Sequence, residues 1–147
     1  MPISLNTNLM RAIILDHYQN PRHKSKPKKD GYLTRHLNSV NCIDDINIYL
    51  FVEKNIITDC LFDGVACTIS TASTDIMCDL VINKTKDEAL YIIKQYEQMI
   101  YELPFDESVL DEAIVFMNTY KQPARIKCAI LGWEGLEEIL LENEEKR

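Results

Sequence analysis

The first hydrophobic positions of the chain repeat with the period of a helix. Residues 6–19 carry one apolar stripe, formed by Leu9, Met10, Ile13, Ile14 and His17. Asn20-Pro21 follows this stripe and predicts the end of the helix, because proline cannot continue the hydrogen-bond ladder. The chain is then polar and basic to about residue 40, which predicts a loop.

Strict alternation of apolar and polar residues begins at Ile46. Residues 46–52 place branched apolar side chains on one side, which is typical of a strand with one buried face. Lys54-Asn55 then predicts a tight turn, and residues 56–62 predict a second strand. The two segments together predict a β-hairpin.

Helical spacing returns after Asp63-Gly64. Helices are predicted from close to Cys67, behind a capping box formed by Thr85 and Glu88, over about 107–119 after Pro104, and from Pro123 onwards. The charged tail ENEEKR is expected to fray. The prediction is one α+β domain, 1–147, in which a small antiparallel sheet (hairpin plus short strand) packs against four to five helices.

Charge and composition narrow the range of functions. Residues 1–41 carry seven Lys or Arg against two acids, whereas the whole chain has a net charge of −7. The basic run 22–29, RHKSKPKK, lacks interleaved aromatic residues and contains a proline, so a solvated loop is the favoured interpretation and a contact with a protein partner the second. Nucleic-acid binding is disfavoured.

The expected location is the cytoplasm. No apolar run approaches the ~18 residues of a membrane span, and the beginning of the chain lacks the order of a secretion signal. Five cysteines without a CxxC spacing argue against a disulfide framework. In a reducing compartment, metal binding or thiol chemistry is the better use for some of them.

Three of the cysteines fall at the edges of predicted elements. Cys42 and Asp44 enter the sheet on the same side of the chain, since side chains alternate faces. Cys67 lies at the turn into a helix, and Cys128 lies in the first turns of the last helix, where free backbone N–H groups favour a thiolate. The other two, Cys60 and Cys78, lie inside a strand and a helix and are expected to fill the core.

A set of three cysteines and one aspartate would suit tetrahedral zinc, with a net formal charge of about −2 at the site. Arg125 and Lys127 near Cys128 would offset this charge, and Gly132 removes a side chain from the same helical face. The separations match no generic zinc-finger pattern, so independent buried thiols remain the alternative at this point.

Four motifs resemble a known family. HYQNPRHK (17–24), CID (42–44), FDGVACTISTAST (62–74) and ARIKCAILGWEGLE (124–137) resemble, in order and spacing, the motifs HYxNPRN, CGD, FxGxGCAIxxAS and RxKCAxLxW of the U-type iron–sulfur cluster assembly proteins, the IscU/NifU/SufU family. The likeness covers nearly the whole chain. The extra stretch near 104–120 and the absence of a histidine before Cys128 make the SufU branch the more similar one.

The resemblance implies a site and its partners. Cys42, Asp44, Cys67 and Cys128 would bind zinc, Cys42 would accept sulfur, and Arg125 would assist at the contact with a SufS-like cysteine desulfurase. The implied function is that of a zinc-dependent sulfurtransferase, with downstream assembly or apo-acceptor proteins as further partners.

Two alternatives remain open beside that implied function. One is a scaffold that carries a [2Fe–2S] or [4Fe–4S] cluster, because cysteine ligands suit both zinc and clusters. The other is an interaction module with a purely structural zinc.

Two departures from the family motif affect the loop, since Ile43 replaces the usual glycine and Val40 the usual proline. A β-branched residue does not easily take positive φ.

Overall fold

The computed structural model describes residues 6–39 and 43–145, which form a three-stranded sheet and the helices packed against it. In chain order the elements are α1 (Thr7–Gln19), β1 (Leu33–Asn38), β2 (Asp45–Glu53), β3 (Ile56–Val65), α2 (Thr68–Val81), α3 (Lys86–Ile100), three short 3-10 turns and α4 (Pro123–Glu145). Within this part of the chain, no helix is both long and apolar enough to cross a membrane. The predicted α+β class is confirmed.

The sheet has the order β1-β2-β3, and both strand pairs are antiparallel. In β2 the predicted alternation is confirmed, because Ile46, Ile48 and Leu50 are buried. The prediction of a loop up to about residue 40 is wrong at residues 33–38, which form β1. β1 is the short strand that was predicted beside the hairpin. Its alternate residues are exposed, and as an edge strand it tolerates polar side chains that mask a strand pattern.

The hairpin between β2 and β3 closes as predicted. Lys54 and Asn55 both have positive φ, 52° and 68°, the combination that a two-residue type I′ turn requires. At the far end of β3, Gly64 has a φ of 116°, and a Cβ there would lie 2.2 Å from the carbonyl oxygen of Asp45. Only glycine lets β3 pass this close to the start of β2.

The predicted helix starts are confirmed. Cys67 is the N-cap of α2, and α3 begins behind Thr85, whose hydroxyl and the carboxylate of Glu88 form a reciprocal capping box. Pro123 is the first residue of α4. α4 continues to Glu145, so the helix extends into the tail that was expected to fray.

The stretch between α3 and α4 differs from the prediction of a single helix over about 107–119. It consists of the 3-10 turns Glu107–Val109, Asp111–Phe116 and Thr119–Lys121. Asp111 has a φ of 43°, a left-handed conformation through which an α-helix cannot continue. The apolar residues of the middle turn, 113–116, are nevertheless all buried.

A polar and aromatic cluster joins α2, α3 and α4 in the core. The rings of Tyr96 and Trp133 stack with centroids 3.7 Å apart, and Trp133 Nε1 donates to Ser73 Oγ at 2.9 Å. Gly132 lets α4 approach α2, since a Cβ there would lie 2.4 Å from Thr74 Oγ1. The expectation that this glycine admits another element is confirmed.

We expect a pH-dependent loss of stability from Glu97 on α3. Burial, followed by the charges of Glu137 and Glu134 on α4, raises the pKa of Glu97 from 4.5 to about 7. The folded state therefore favours the protonated carboxyl, and this contribution, fully present below pH 4.5, is lost as the pH rises through about 7. Glu97→Gln should raise the Tm at pH 8 by about 2–4 °C and change it much less at pH 5.

Thermal unfolding followed by circular dichroism at the two pH values measures this effect. Glu107→Gln makes the same chemical change at an exposed position and serves as the control. An equal gain in Tm for Glu97→Gln at pH 5 and pH 8 would show that the carboxyl of Glu97 is not protonated in the folded state.

Candidate metal centre

Asp44 lies immediately before β2 and is almost fully buried, with 1% of its surface exposed. Its Oδ1 accepts a hydrogen bond from the backbone N–H of Cys67 at 2.8 Å. Its Oδ2 is also buried, and no described residue donates a hydrogen bond to it. A buried carboxylate oxygen is costly unless it is paired or coordinates a cation, so this atom fits a metal ligand.

Cys67 lies at the N-terminus of α2, where β3 ends. Its side chain caps the helix, because Sγ accepts a hydrogen bond from the backbone N–H of Ser70 at 3.4 Å. This position places the sulfur at the positive end of the helix dipole, which favours a thiolate. The sequence predicted this placement at the turn from hairpin to helix.

Cys128 reaches the same place from α4. The helix packs against α2, and Cys128 is buried, with 5% of its surface exposed. One ligand atom each of Asp44, Cys67 and Cys128 lies within 4.8 Å of the other two. Residues from the sheet entrance, from α2 and from α4 therefore meet at a single point.

The donor set is suited to zinc. Two sulfur atoms and one carboxylate oxygen supply three ligands of types that bind zinc, and a tetrahedral ion needs one more. Cys42, the expected further ligand, lies outside the described residues, as does Val40. The structure therefore brings together three of the four sequence-predicted ligands.

Two apolar residues that are close in sequence to the candidate ligands are exposed at the surface. Ile43, next to Asp44 in sequence, is 65% exposed, and Val65, two residues before Cys67, is 62% exposed.

The cations predicted beside the site are at the surface. Arg125 and Lys127 are exposed in the first turns of α4. Arg125 lines a groove of about 330 Å³ together with Arg11, Thr68 and Ile69. Since Thr68 and Ile69 follow Cys67 directly, this groove borders the candidate site, and its two arginines favour an acidic or anionic partner.

The two remaining cysteines belong to the core, as predicted. Cys60 of β3 and Cys78 of α2 are fully buried. Burial, together with the neighbouring Cys60, raises the pKa of the Cys78 thiol well above its ordinary value. A thiol held protonated in this way is a poor nucleophile and a poor metal ligand.

Sequence reasoning missed a network around His17. The ring lies 1% exposed between Asp75, at 2.6 Å from Nδ1, and Glu112, at 2.9 Å from Nε2. Burial alone would lower the pKa of His17, but the hydrogen bonds to Asp75 and Glu112 and the charges of these two acids together raise the pKa above 6.5. The three residues are far apart in sequence, so the apolar stripe and the HYQNPR motif indicated His17 but not its partners.

The fold and the site define a class of protein: a small α+β domain in which a hairpin, a capped helix and a terminal helix bring together thiols and a carboxylate suited to a metal. A family model, the NifU-like N-terminal domain, matches residues 10–146. The chain belongs to this family, which confirms the resemblance of the four motifs.

Two curated relatives cover most of the chain. The iron–sulfur cluster assembly scaffold protein IscU of Streptococcus pyogenes serotype M1 is 36% identical over 95% of this chain and 87% of its own. The zinc-dependent sulfurtransferase SufU of Bacillus subtilis strain 168 is 34% identical over 92% of this chain and 93% of its own.

A solved structure has the same fold. The putative iron–sulfur cluster assembly scaffold protein for the SUF system of Fervidobacterium islandicum AW-1 superposes with a TM-score of 0.80 at 34% identity. The superposition covers 87% of this chain and 93% of that one.

Proposed function

We propose that this protein takes part in iron–sulfur cluster assembly as a zinc-binding acceptor of persulfide sulfur from a SufS-like cysteine desulfurase in the cytoplasm. The observation that carries this proposal is the approach of Asp44, Cys67 and Cys128, whose ligand atoms lie within 4.8 Å of one another. The relative named zinc-dependent sulfurtransferase supports the choice of zinc and of sulfur transfer.

Cys42 completes the proposed ligand set with Asp44, Cys67 and Cys128. When bound, zinc would keep the thiols deprotonated and limit their oxidation. Asp44 supplies a harder oxygen donor, and its Oδ1 is already held by the N–H of Cys67, which fixes the direction of Oδ2. The carboxylate thus stays in place while a thiolate reacts.

Sulfur transfer is a thiolate–persulfide exchange. The thiolate of Cys42 attacks the outer sulfur of the persulfide on the desulfurase, and the S–S bond of that donor breaks as the new S–S bond forms. The desulfurase cysteine leaves as a thiolate, and the proton stays with the transferred sulfur. No net oxidation or reduction occurs, so no further reactant is required.

Arg125 is proposed to assist at the contact with the desulfurase. Its guanidinium is exposed, and it lines the groove that borders the N-terminus of α2. Arginine is suited to bind carboxylates of a partner through paired hydrogen bonds. Sulfur would then pass to downstream assembly proteins or apo-acceptors.

A scaffold for a [2Fe–2S] or [4Fe–4S] cluster is the second candidate function. The relative from Streptococcus pyogenes is named a scaffold, and the same thiols serve a cluster as well as zinc. The two functions share the site and differ in the group that it holds.

Metal analysis of aerobically purified protein, combined with a desulfurase assay, separates these functions. Sulfur transfer predicts close to one zinc per chain, no visible absorbance, and a protein-bound persulfide that raises the turnover of the desulfurase. A brown cluster that reconstitutes anaerobically and passes to an apo-acceptor, without persulfide formation, would instead establish the scaffold. Zinc without either activity would mean a purely structural ion.

A further inference from the structure

A second group of potential ligands lies at the other end of α2. His17 of α1, Asp79 of α2 and Glu112 of the middle 3-10 turn each place one ligand atom within 4.8 Å of the other two. Asp79 lies twelve positions after Cys67, which is about 18 Å along a helix axis. This group is therefore separate from the cysteine site.

The imidazole of His17 is held in one orientation by Asp75. Its Nδ1 donates to Oδ2 of Asp75 at 2.6 Å, and Asp75 is itself fully buried. Oδ1 of Asp75 accepts the backbone N–H groups of Arg22 and His23 at 2.9 and 2.8 Å, so this carboxylate cannot turn away. A buried carboxylate on Nδ1 fixes the tautomer and direction of a metal-binding histidine and makes Nε2 more basic.

We propose that His17, Asp79 and Glu112 form a second binding site for a divalent transition-metal ion such as zinc. Nε2 of His17 and one carboxylate oxygen from each acid would coordinate the ion. One imidazole with two carboxylates is a donor set that binds zinc in proteins. The site would join α1, α2 and the segment between α3 and α4.

The exposure of the ligands allows an ion to enter. The side chains of Asp79 and Glu112 are 44% and 39% exposed, whereas the ring of His17 is buried. Solvent thus reaches the acids, and water can fill the remaining coordination positions. Such a site exchanges its ion more readily than the buried cysteine site.

Binding of an ion replaces the contact between His17 and Glu112 and leaves the contact between Asp79 and His23 in place. Nε2 of His17 now contacts Oε1 of Glu112 at 2.9 Å, so an entering ion displaces the proton between them to solvent. Asp79 contacts Nε2 of His23 at 2.6 Å. A carboxylate has two oxygens, so Asp79 can keep this contact and still coordinate.

Equilibrium dialysis of the zinc-loaded protein against increasing Zn²⁺, with metal analysis of the protein, tests this site. We expect a second equivalent of zinc in the wild type. Glu112→Gln and Asp79→Asn should each weaken its binding at least about tenfold, while the first equivalent is retained. Glu107→Gln makes the same change on a neighbouring turn and should bind like the wild type.

Two outcomes would overturn the site. One is a wild-type protein that takes up only a single equivalent at millimolar Zn²⁺. The other is binding of the second equivalent that neither Glu112→Gln nor Asp79→Asn weakens. Both variants change partly exposed side chains on different elements, and circular dichroism verifies their folding. The first equivalent of zinc reports on the cysteine site, so a failure of that site to bind zinc is distinguished from a failure of the second site.

Discussion

Cys42→Ala is expected to abolish the formation of a persulfide on this protein, lowering sulfur transfer from a cysteine desulfurase at least about a hundredfold. Cys128 is 5% exposed, and Cys67 is held in place as the N-cap of α2, so neither sulfur is well placed to reach into a partner. Ile43, the residue that follows Cys42 in sequence, is by contrast 65% exposed. Mass spectrometry after incubation with desulfurase and cysteine measures the added sulfur.

Cys78→Ala is the matched control for this prediction. It removes a thiol that is fully buried in the core, and the variant should accept sulfur like the wild type. A persulfide located on Cys67 or Cys128 of the wild type, or undiminished acceptance by Cys42→Ala, would contradict the assignment of Cys42 as acceptor.

Local sequence patterns predicted most elements of the fold. The hairpin followed from alternation and from Lys54-Asn55, whose positive φ values fit the type I′ turn. The starts of α2, α3 and α4 followed from caps and a proline, because these signals act within one turn of the helix. Such features depend on near neighbours, so the sequence alone predicts them.

The wrong predictions concern features that depend on tertiary contacts. β1 is polar because its pairing with β2 alone leaves one edge exposed, so its residues resemble a loop. The 3-10 segment keeps a helical hydrophobic pattern, although it consists of three separate turns and Asp111 has a positive φ. Periodicity does not distinguish between two conformations that bury the same apolar positions.

The candidate site likewise has features that the local sequence predicts and features that depend on tertiary contacts. The residue types and edge positions of Cys67 and Cys128 indicated a possible metal site, but their spacing alone favoured independent buried thiols. Asp44 gained its significance from burial and from an Oδ2 that receives no hydrogen bond from the described residues. His17 contacts Asp75 of α2 and Glu112 of a 3-10 turn. No local sequence pattern predicts contacts between residues so far apart in the chain.

Trp133→Ala is expected to lower the free energy of unfolding by about 3–5 kcal/mol, the range found for removal of a large buried aromatic residue. Trp133 is fully buried and stacks on Tyr96 at 3.7 Å between ring centroids. Its loss also leaves Ser73 without the hydrogen bond from Nε1. Urea unfolding of the metal-free protein measures the change, and Leu141→Ala, which truncates an exposed residue of the same helix, should cost far less.

A comparison of the wild type with Trp133→Ala, with and without zinc, tests whether the core and the metal centre contribute independently to stability. Trp133 follows Cys128 on α4 and is not a candidate ligand, so zinc should stabilise the wild type and Trp133→Ala by the same amount. The loss of about 3–5 kcal/mol should then be equal with and without zinc, since separate contributions add. A larger loss in the zinc-bound protein would mean that the Trp133–Tyr96 stack positions α4 for Cys128, and that packing and coordination form one cooperative unit.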